Sequence, residues 1–135
     1  MSYYNAYATF SEVVTKWIVG YKLESINQVN RCEEECPVKM TAEIIEGKWT
    51  TLVVRELLTG KKRYSELQKA LSGISPKLLT ARLRLLEAQG LLTRSVFPTI
   101  PPTTEYELTE LGSKLETVLL AMANFGNELK ITKHQ

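Results

Sequence analysis

Residues 65–90 read SELQKALSGISPKLLTARLRLLEAQG, and this stretch decides the fold. Ser65-Glu66-Leu67-Gln68 has the capping-box pattern, in which a Ser hydroxyl and a Gln side chain satisfy each other's orphan amides. A short helix is expected from there to about Leu71. Ser72-Gly73-Ile74 makes a turn, and Ser75-Pro76 supplies an N-cap followed by proline at the first helical position. The second helix runs to about Gln89 and is stopped by Gly90. At about 100° per residue, Leu79, Leu83 and Leu86 fall on one side, with Leu78 and Leu85 on its shoulder. Lys77, Thr80, Ala81, Arg84 and Ala88 share the opposite side, with Glu87 at the margin. Such a stripe suits a duplex: Lys and Arg reach guanine edges or phosphates, and small residues permit close approach to a groove. The helix start at Ser75 also offers free amides to a phosphate. Taken alone, Lys77 and Arg84 fit equally well as solubilising charges on an amphipathic helix. Arg82 projects toward the apolar arc, where an ion pair, a backbone hydrogen bond and a DNA contact all remain open.

Outward from this pair, the pattern extends in both directions. Upstream, Trp49 to Leu58 is a helix with Trp49, Leu52, Val53, Leu57 and Leu58 as its buried set, and Gly60 lies just past its end. Lys61-Lys62-Arg63 is a basic turn. Downstream the period changes to two: Leu92 to Phe97 and Thr104 to Thr109 read as strands, joined by the stiff loop Pro98-Thr99-Ile100-Pro101-Pro102. Helix, short helix, turn, helix and hairpin is the winged helix-turn-helix order. The expected fold is mainly α with a small β-hairpin wing, flanked by N- and C-terminal helices.

At the C-terminal end, Leu111, Leu115, Val118, Met122, Phe125 and Leu129 recur at heptad spacing on one helix. At the other end, Tyr7, Phe10, Val14, Trp17 and Tyr21 form an apolar stripe on a helix over 7–29, which suits its own core or a partner. Residues 30–35 read as a connector, and Cys36-Pro37 restarts a helix that Gly47 ends. The resulting organisation is one integrated domain. It has an N-terminal extension (1–35), a winged core (36–109) and a C-terminal helix with tail (110–135).

Charge is unevenly spread. Between Lys48 and Arg94, ten Lys or Arg face three Glu, leaving +7, whereas the whole 135-residue chain carries only +2. A concentrated basic segment with acidic flanks is the footprint expected for a polyanion partner, and taken alone it fits an ordinary solvated surface equally well. Composition argues against an enzyme. The chain has no Asp, and its only histidine, His134, is the penultimate residue, so nucleophilic triads lack a base. Two cysteines and that histidine do not close a four-ligand zinc site, and no glycine-rich phosphate loop is present. No cofactor and no metal are expected. No apolar run is long enough to span a membrane and the start lacks a signal-peptide pattern, which points to a cytoplasmic protein with reduced cysteines.

With these blocks on the page, the sequence resembles the HxlR-type bacterial transcriptional regulators. The resemblance rests on Cys36-Pro37-Val38, Gly47-Lys48-Trp49, Leu57-Leu58-Thr59-Gly60 and Tyr64-Ser65-Glu66-Leu67. It continues through Gly73-Ile74-Ser75, Leu79-Thr80-Ala81-Arg82-Leu83-Arg84, Leu86-Glu87, Gly90-Leu91, Pro101-Pro102, Glu105-Tyr106 and Leu108-Thr109-Glu110-Leu111-Gly112. It implies a homodimer binding an inverted-repeat operator in double-stranded DNA, with the terminal helices forming the subunit contact. On that footing Ser75, Lys77, Thr80, Ala81 and Arg84 present the recognition surface, and Lys61, Lys62, Arg63 and Arg94 position phosphates. Leu115, Val118, Met122, Phe125 and Leu129, with Phe10 and Trp17, build the dimer. Two features depart from the family: Thr103 stands where many members carry a basic residue after the paired prolines, and the 7–29 helix is longer than the usual lead.

The family also includes sensors of oxidants or electrophiles that act through the cysteine matching Cys36. A helix N-terminus and nearby Lys39 favour a Cys36 thiolate, while Glu33, Glu34 and Glu35 oppose it. Cys32 is a candidate resolving partner, and both cysteines fit equally as inert core. A small-molecule or oxidant effector is therefore an open expectation. The rival reading is a winged-helix module that binds another protein without specific DNA binding, with duplex RNA as a variant of the nucleic-acid reading.

Overall fold

The computed structural model describes residues 36–134. The helix expected over 7–29, with Phe10 and Trp17, and the second cysteine, Cys32, lie outside the described residues. The chain divides into two compact units, Met1–Glu43 and Ile44–Gln135. Helix α1 (Pro37–Ile44) begins with proline, whose missing N–H and fixed φ suit a first helical position. Cys36 stands just before it, and its carbonyl accepts the Met40 N–H at 2.9 Å.

In the second unit, Gly47 adopts φ 76°, a left-handed conformation that costs glycine nothing. It turns the chain into α2 (Lys48–Leu58), the central helix. Thr50, Val53, Val54 and Leu57 are fully buried on α2, while Trp49, Leu52 and Leu58 are half-buried. The expected set therefore missed Thr50 and Val54, because other elements cover α2 over a wider arc than a single stripe. Thr50 is tolerated there because its hydroxyl donates to the Glu46 carbonyl at 3.2 Å.

The basic turn is in fact a strand. Lys62–Arg63 forms β1, which pairs antiparallel with β3 in register Lys62↔Tyr106 and Arg63↔Glu105. Helix α3 (Tyr64–Ala70) then starts one residue ahead of the Ser65 expected to cap it. Its first turn is closed by Glu66, whose carboxylate accepts the Arg63 backbone N–H at 2.7 Å. Carboxylate at the third helical position is the acidic half of a capping box, placed two residues upstream of the expected one. Helix α4 (Pro76–Ala88) is capped as its sequence requires: Ser75 Oγ accepts the Leu78 N–H at 3.2 Å.

Strands β2 (Leu92–Phe97) and β3 (Thr103–Leu108) complete a three-stranded antiparallel sheet in the order β1-β3-β2. Only Leu92 of β2 is buried, so the hairpin stands clear of the core. On β3, Tyr106 is buried and Glu107 exposed, while Glu105 is half-buried.

The C-terminal stripe does not form one helix. Glu110–Ser113 is a separate turn, α5, and α6 runs Leu115–Lys133. Gly112 lies just before the break, in Glu110–Ser113. It is buried on the exit of α4, and a Cβ there would run into the Leu91 carbonyl. That carbonyl accepts the Thr109 N–H at 3.0 Å, and the Thr109 hydroxyl donates to the Gly90 carbonyl at 2.7 Å. Leu111 thus points to solvent at the start of the seam. Leu115 is buried in the chain's own core, with Val118 packed against it. Met122, Phe125 and Leu129 are exposed.

Candidate nucleic-acid interface

The face of α4 is set by its leucines. Leu79, Leu83 and Leu86 are buried, Leu78 and Leu85 are half-buried, and Lys77, Ala81, Arg84 and Ala88 are exposed. Burying each leucine stabilises this orientation by about 1.5–3 kcal/mol, so the helix has little freedom to roll. Neither Lys77 nor Arg84 lies within 4.0 Å of a carboxylate among the described residues. Their charges are free to act outward. Ser75 is exposed beside them, its oxygen already taken by the cap.

Thr80 behaves differently from its neighbours. It is half-buried, and its Oγ1 lies 3.2 Å from the hydroxyl of Tyr64, the first residue of α3. The same hydroxyl donates to the Pro76 carbonyl at 3.0 Å. Tyr64 therefore ties the two helices of the motif together at the first turn of α4. It was not among the expected site residues, since its partners lie twelve and sixteen positions away and leave no local pattern.

The cations on the sheet are engaged inside the molecule. Lys61 Nζ sits 3.8 Å and Arg63 Nε 3.6 Å from the Glu105 carboxylate. Pairing with β1 places Glu105 directly opposite Arg63. Exposed ion pairs of this kind are worth about 0–1 kcal/mol each, so they orient these side chains more than they stabilise the fold. Lys62 is half-buried in β1. Arg94 is exposed on β2 directly opposite Tyr106. Burial raises the Tyr106 pKa above its ordinary value, and the Arg94 charge works against that rise. The phenol thus stays protonated at neutral pH. Arg94, Tyr106, Thr80, Arg84 and Glu87 line a notch of about 110 Å³ where α4 meets the sheet.

Arg82 turns inward, as its position predicts. Its Nε is buried and meets no hydrogen-bond partner among the described residues, so at that atom neither expected inward contact is made with them. Its guanidinium reaches toward Gly47, where a Cβ would come within 3.9 Å. Cys36, at the start of α1, is half-buried. Among the described residues, no group of three or more His, Cys, Asp or Glu is placed to hold a metal ion, and no helix is long and apolar enough to cross a membrane.

A basic helix face one turn beyond a tight connector, beside a hairpin, can lie in a major groove with its N-terminal residues at base edges. Known proteins carry the same arrangement. The model of the HxlR-like helix-turn-helix family matches residues 44–134. The uncharacterized HTH-type transcriptional regulator sll1512 of Synechocystis sp. is 44% identical over 93 residues, 69% of each chain. A crystal structure described as a MarR-family regulator from Porphyromonas gingivalis W83 superposes with a TM-score of 0.67 at 41% identity, covering 71% of this chain and 94% of that one. The redox regulator HypR in its oxidized form superposes with a TM-score of 0.63 at 40% identity, covering 69% of this chain and 96% of that one. The chain belongs to the HxlR-like helix-turn-helix family of transcriptional regulators.

Proposed function

We propose that this chain controls transcription as a homodimer whose two α4 helices enter successive major grooves of an inverted-repeat operator. The observation that carries the reading is the outward face of α4, with Lys77 and Arg84 exposed, without carboxylate partners among the described residues and flanked by small residues. Ser75 and Ala81 would lie closest to the groove floor, and Lys61, Lys62, Arg63 and Arg94 along the backbone. Lys77→Ala and Arg84→Ala should each lower discrimination by about 1–3 kcal/mol at the base they read. Selection from a random duplex library measures this, and an unchanged base preference in both variants would remove α4 from the groove.

The exposed apolar residues of α6 support the dimer. Leu120, Met122, Phe125, Leu129 and Ile131 are all exposed on one helix, more apolar surface than a solvated monomer helix ordinarily presents. Phe125→Glu should yield monomers by light scattering and lose tight operator binding. A dimer that survives that change would assign α6 another role.

An oxidant response through Cys36 is part of this reading. The matched HypR structure is named a redox regulator, and Cys36 sits at the start of α1, where helix amides favour thiolate. Diamide should alter operator binding of the wild type and leave Cys36→Ser unaffected. Identical responses would rule out that cysteine as the sensor. The protein-binding alternative predicts no salt-dependent retention on duplex DNA.

A further inference from the structure

We propose that Tyr64 makes Thr80 an acceptor-only reader of the major groove, so that this residue selects a base carrying an exocyclic amine. The inference rests on the reading of α4 as the recognition helix. The Tyr64 hydroxyl lies 3.0 Å from the Pro76 carbonyl oxygen and 3.2 Å from Thr80 Oγ1. A phenol carries one proton, and a carbonyl oxygen only accepts. The Tyr64 proton therefore goes to Pro76, and the phenol oxygen is left to accept from Thr80. With its own proton committed, Thr80 Oγ1 has only lone pairs left to offer a ligand.

The consequence is chemical. A free threonine hydroxyl rotates to donate or accept and so pairs with any base. Held by Tyr64, it takes a hydrogen bond only from N–H. In the major groove those groups are the N4 amine of cytosine and the N6 amine of adenine. Guanine O6 and N7, thymine O4 and phosphate oxygens are all acceptors and meet lone pairs. Thr80 remains partly exposed, three residues after Lys77 and four before Arg84. Arg84, one turn on, only donates. Neighbouring positions of α4 thus have opposite polarity, an acceptor at Thr80 and a donor at Arg84.

Selection from a random duplex library tests this with the full chain and its Tyr64→Phe, Thr80→Ser and Thr80→Val variants, each checked by thermal unfolding. The wild type should favour cytosine or adenine roughly three- to tenfold at one step of the contacted strand, the scale of one hydrogen bond. Tyr64→Phe frees the Thr80 proton, and the preference at that step should flatten while the steps read by Lys77 and Arg84 keep theirs. Thr80→Ser should retain the preference and Thr80→Val should abolish it. Should Tyr64→Phe destabilise the fold, the two Thr80 variants decide the matter alone. An unchanged profile in Tyr64→Phe and Thr80→Val, with Lys77→Ala and Arg84→Ala altered, overturns this inference and leaves the recognition helix standing. A profile unchanged in all four overturns the parent reading instead.

Discussion

Helices α4 and α6 carry equally regular apolar stripes, yet the molecule treats them in opposite ways. On α4 all three leucines of the stripe are buried, and the far face is left to Lys77 and Arg84. On α6 only Leu115 is buried, Val118 and Leu119 lean on the core, and everything beyond is open. Between α6 and α2 lies an apolar groove of about 420 Å³, lined by Leu52, Leu58, Leu119, Leu120 and Met122 among others. Periodicity tells which side chains share a face. It does not tell what covers that face.

The difference is sharpest in stability. Leu83→Ala should destabilise the unit by about 2–5 kcal/mol, since its cavity would open among Leu79, Leu86 and the residues of α2. Phe125→Ala removes a larger side chain that is 63% exposed, so within one chain it should change stability by less than about 0.5 kcal/mol. Denaturant titration at two protein concentrations compares them. A concentration-dependent loss in Phe125→Ala would show that a second chain covers the distal part of α6. A loss at all concentrations would place Phe125 in the chain's own core and break the contrast.

Much of this was legible in advance, and the failures share a cause. The helix order, the α4 faces and both hairpin strands follow from local rules: a serine before a proline, leucines at helical spacing, alternation between two turn regions. Misplaced features depend on partners far along the chain. Lys62 and Arg63 become a strand only because β3 arrives to pair with them. Thr50 and Val54 are buried because α2 is enclosed on several sides. Leu111 and Leu115 fall on separate helices, and Gly112 between them packs against Leu91, twenty-one positions back. At the interface, exposure of Lys77 and Arg84 was readable from the helix wheel. The engagement of Lys61, Arg63, Thr80 and Arg94 was not, since Glu105, Tyr64 and Tyr106 reach them through the tertiary fold.

That engagement gives a second way to test the molecule. Glu105 lies 3.8 Å from Lys61 and 3.6 Å from Arg63, so this part of the sheet presents less net charge than its cations alone suggest. Glu105→Gln should release both cations and make DNA binding tighter by about 1 kcal/mol at low salt, with a steeper salt dependence. The slope of affinity against salt concentration, measured on random-sequence duplex, reads the number of phosphates neutralised. An unchanged slope would mean that the sheet cations face away from the backbone, leaving α4 to carry the electrostatics by itself.

The smallest expected effect returns to α6. Gly126 sits inside this helix, and among the described residues nothing beyond the helix's own backbone lies within 4 Å of the place its Cβ would occupy. A glycine within a helix costs about 1 kcal/mol relative to alanine, so Gly126→Ala should raise the unfolding midpoint by a few degrees. That holds only while the face stays open. Where two helices cross closely at a small residue, the added methyl overpacks the contact and destabilises it by about 1–3 kcal/mol. Gly126→Ala in a Phe125→Glu background should therefore show the full gain, whereas in the wild type a second α6 would reduce or reverse it. Equal gains in both backgrounds would mean that no second helix crosses at Gly126.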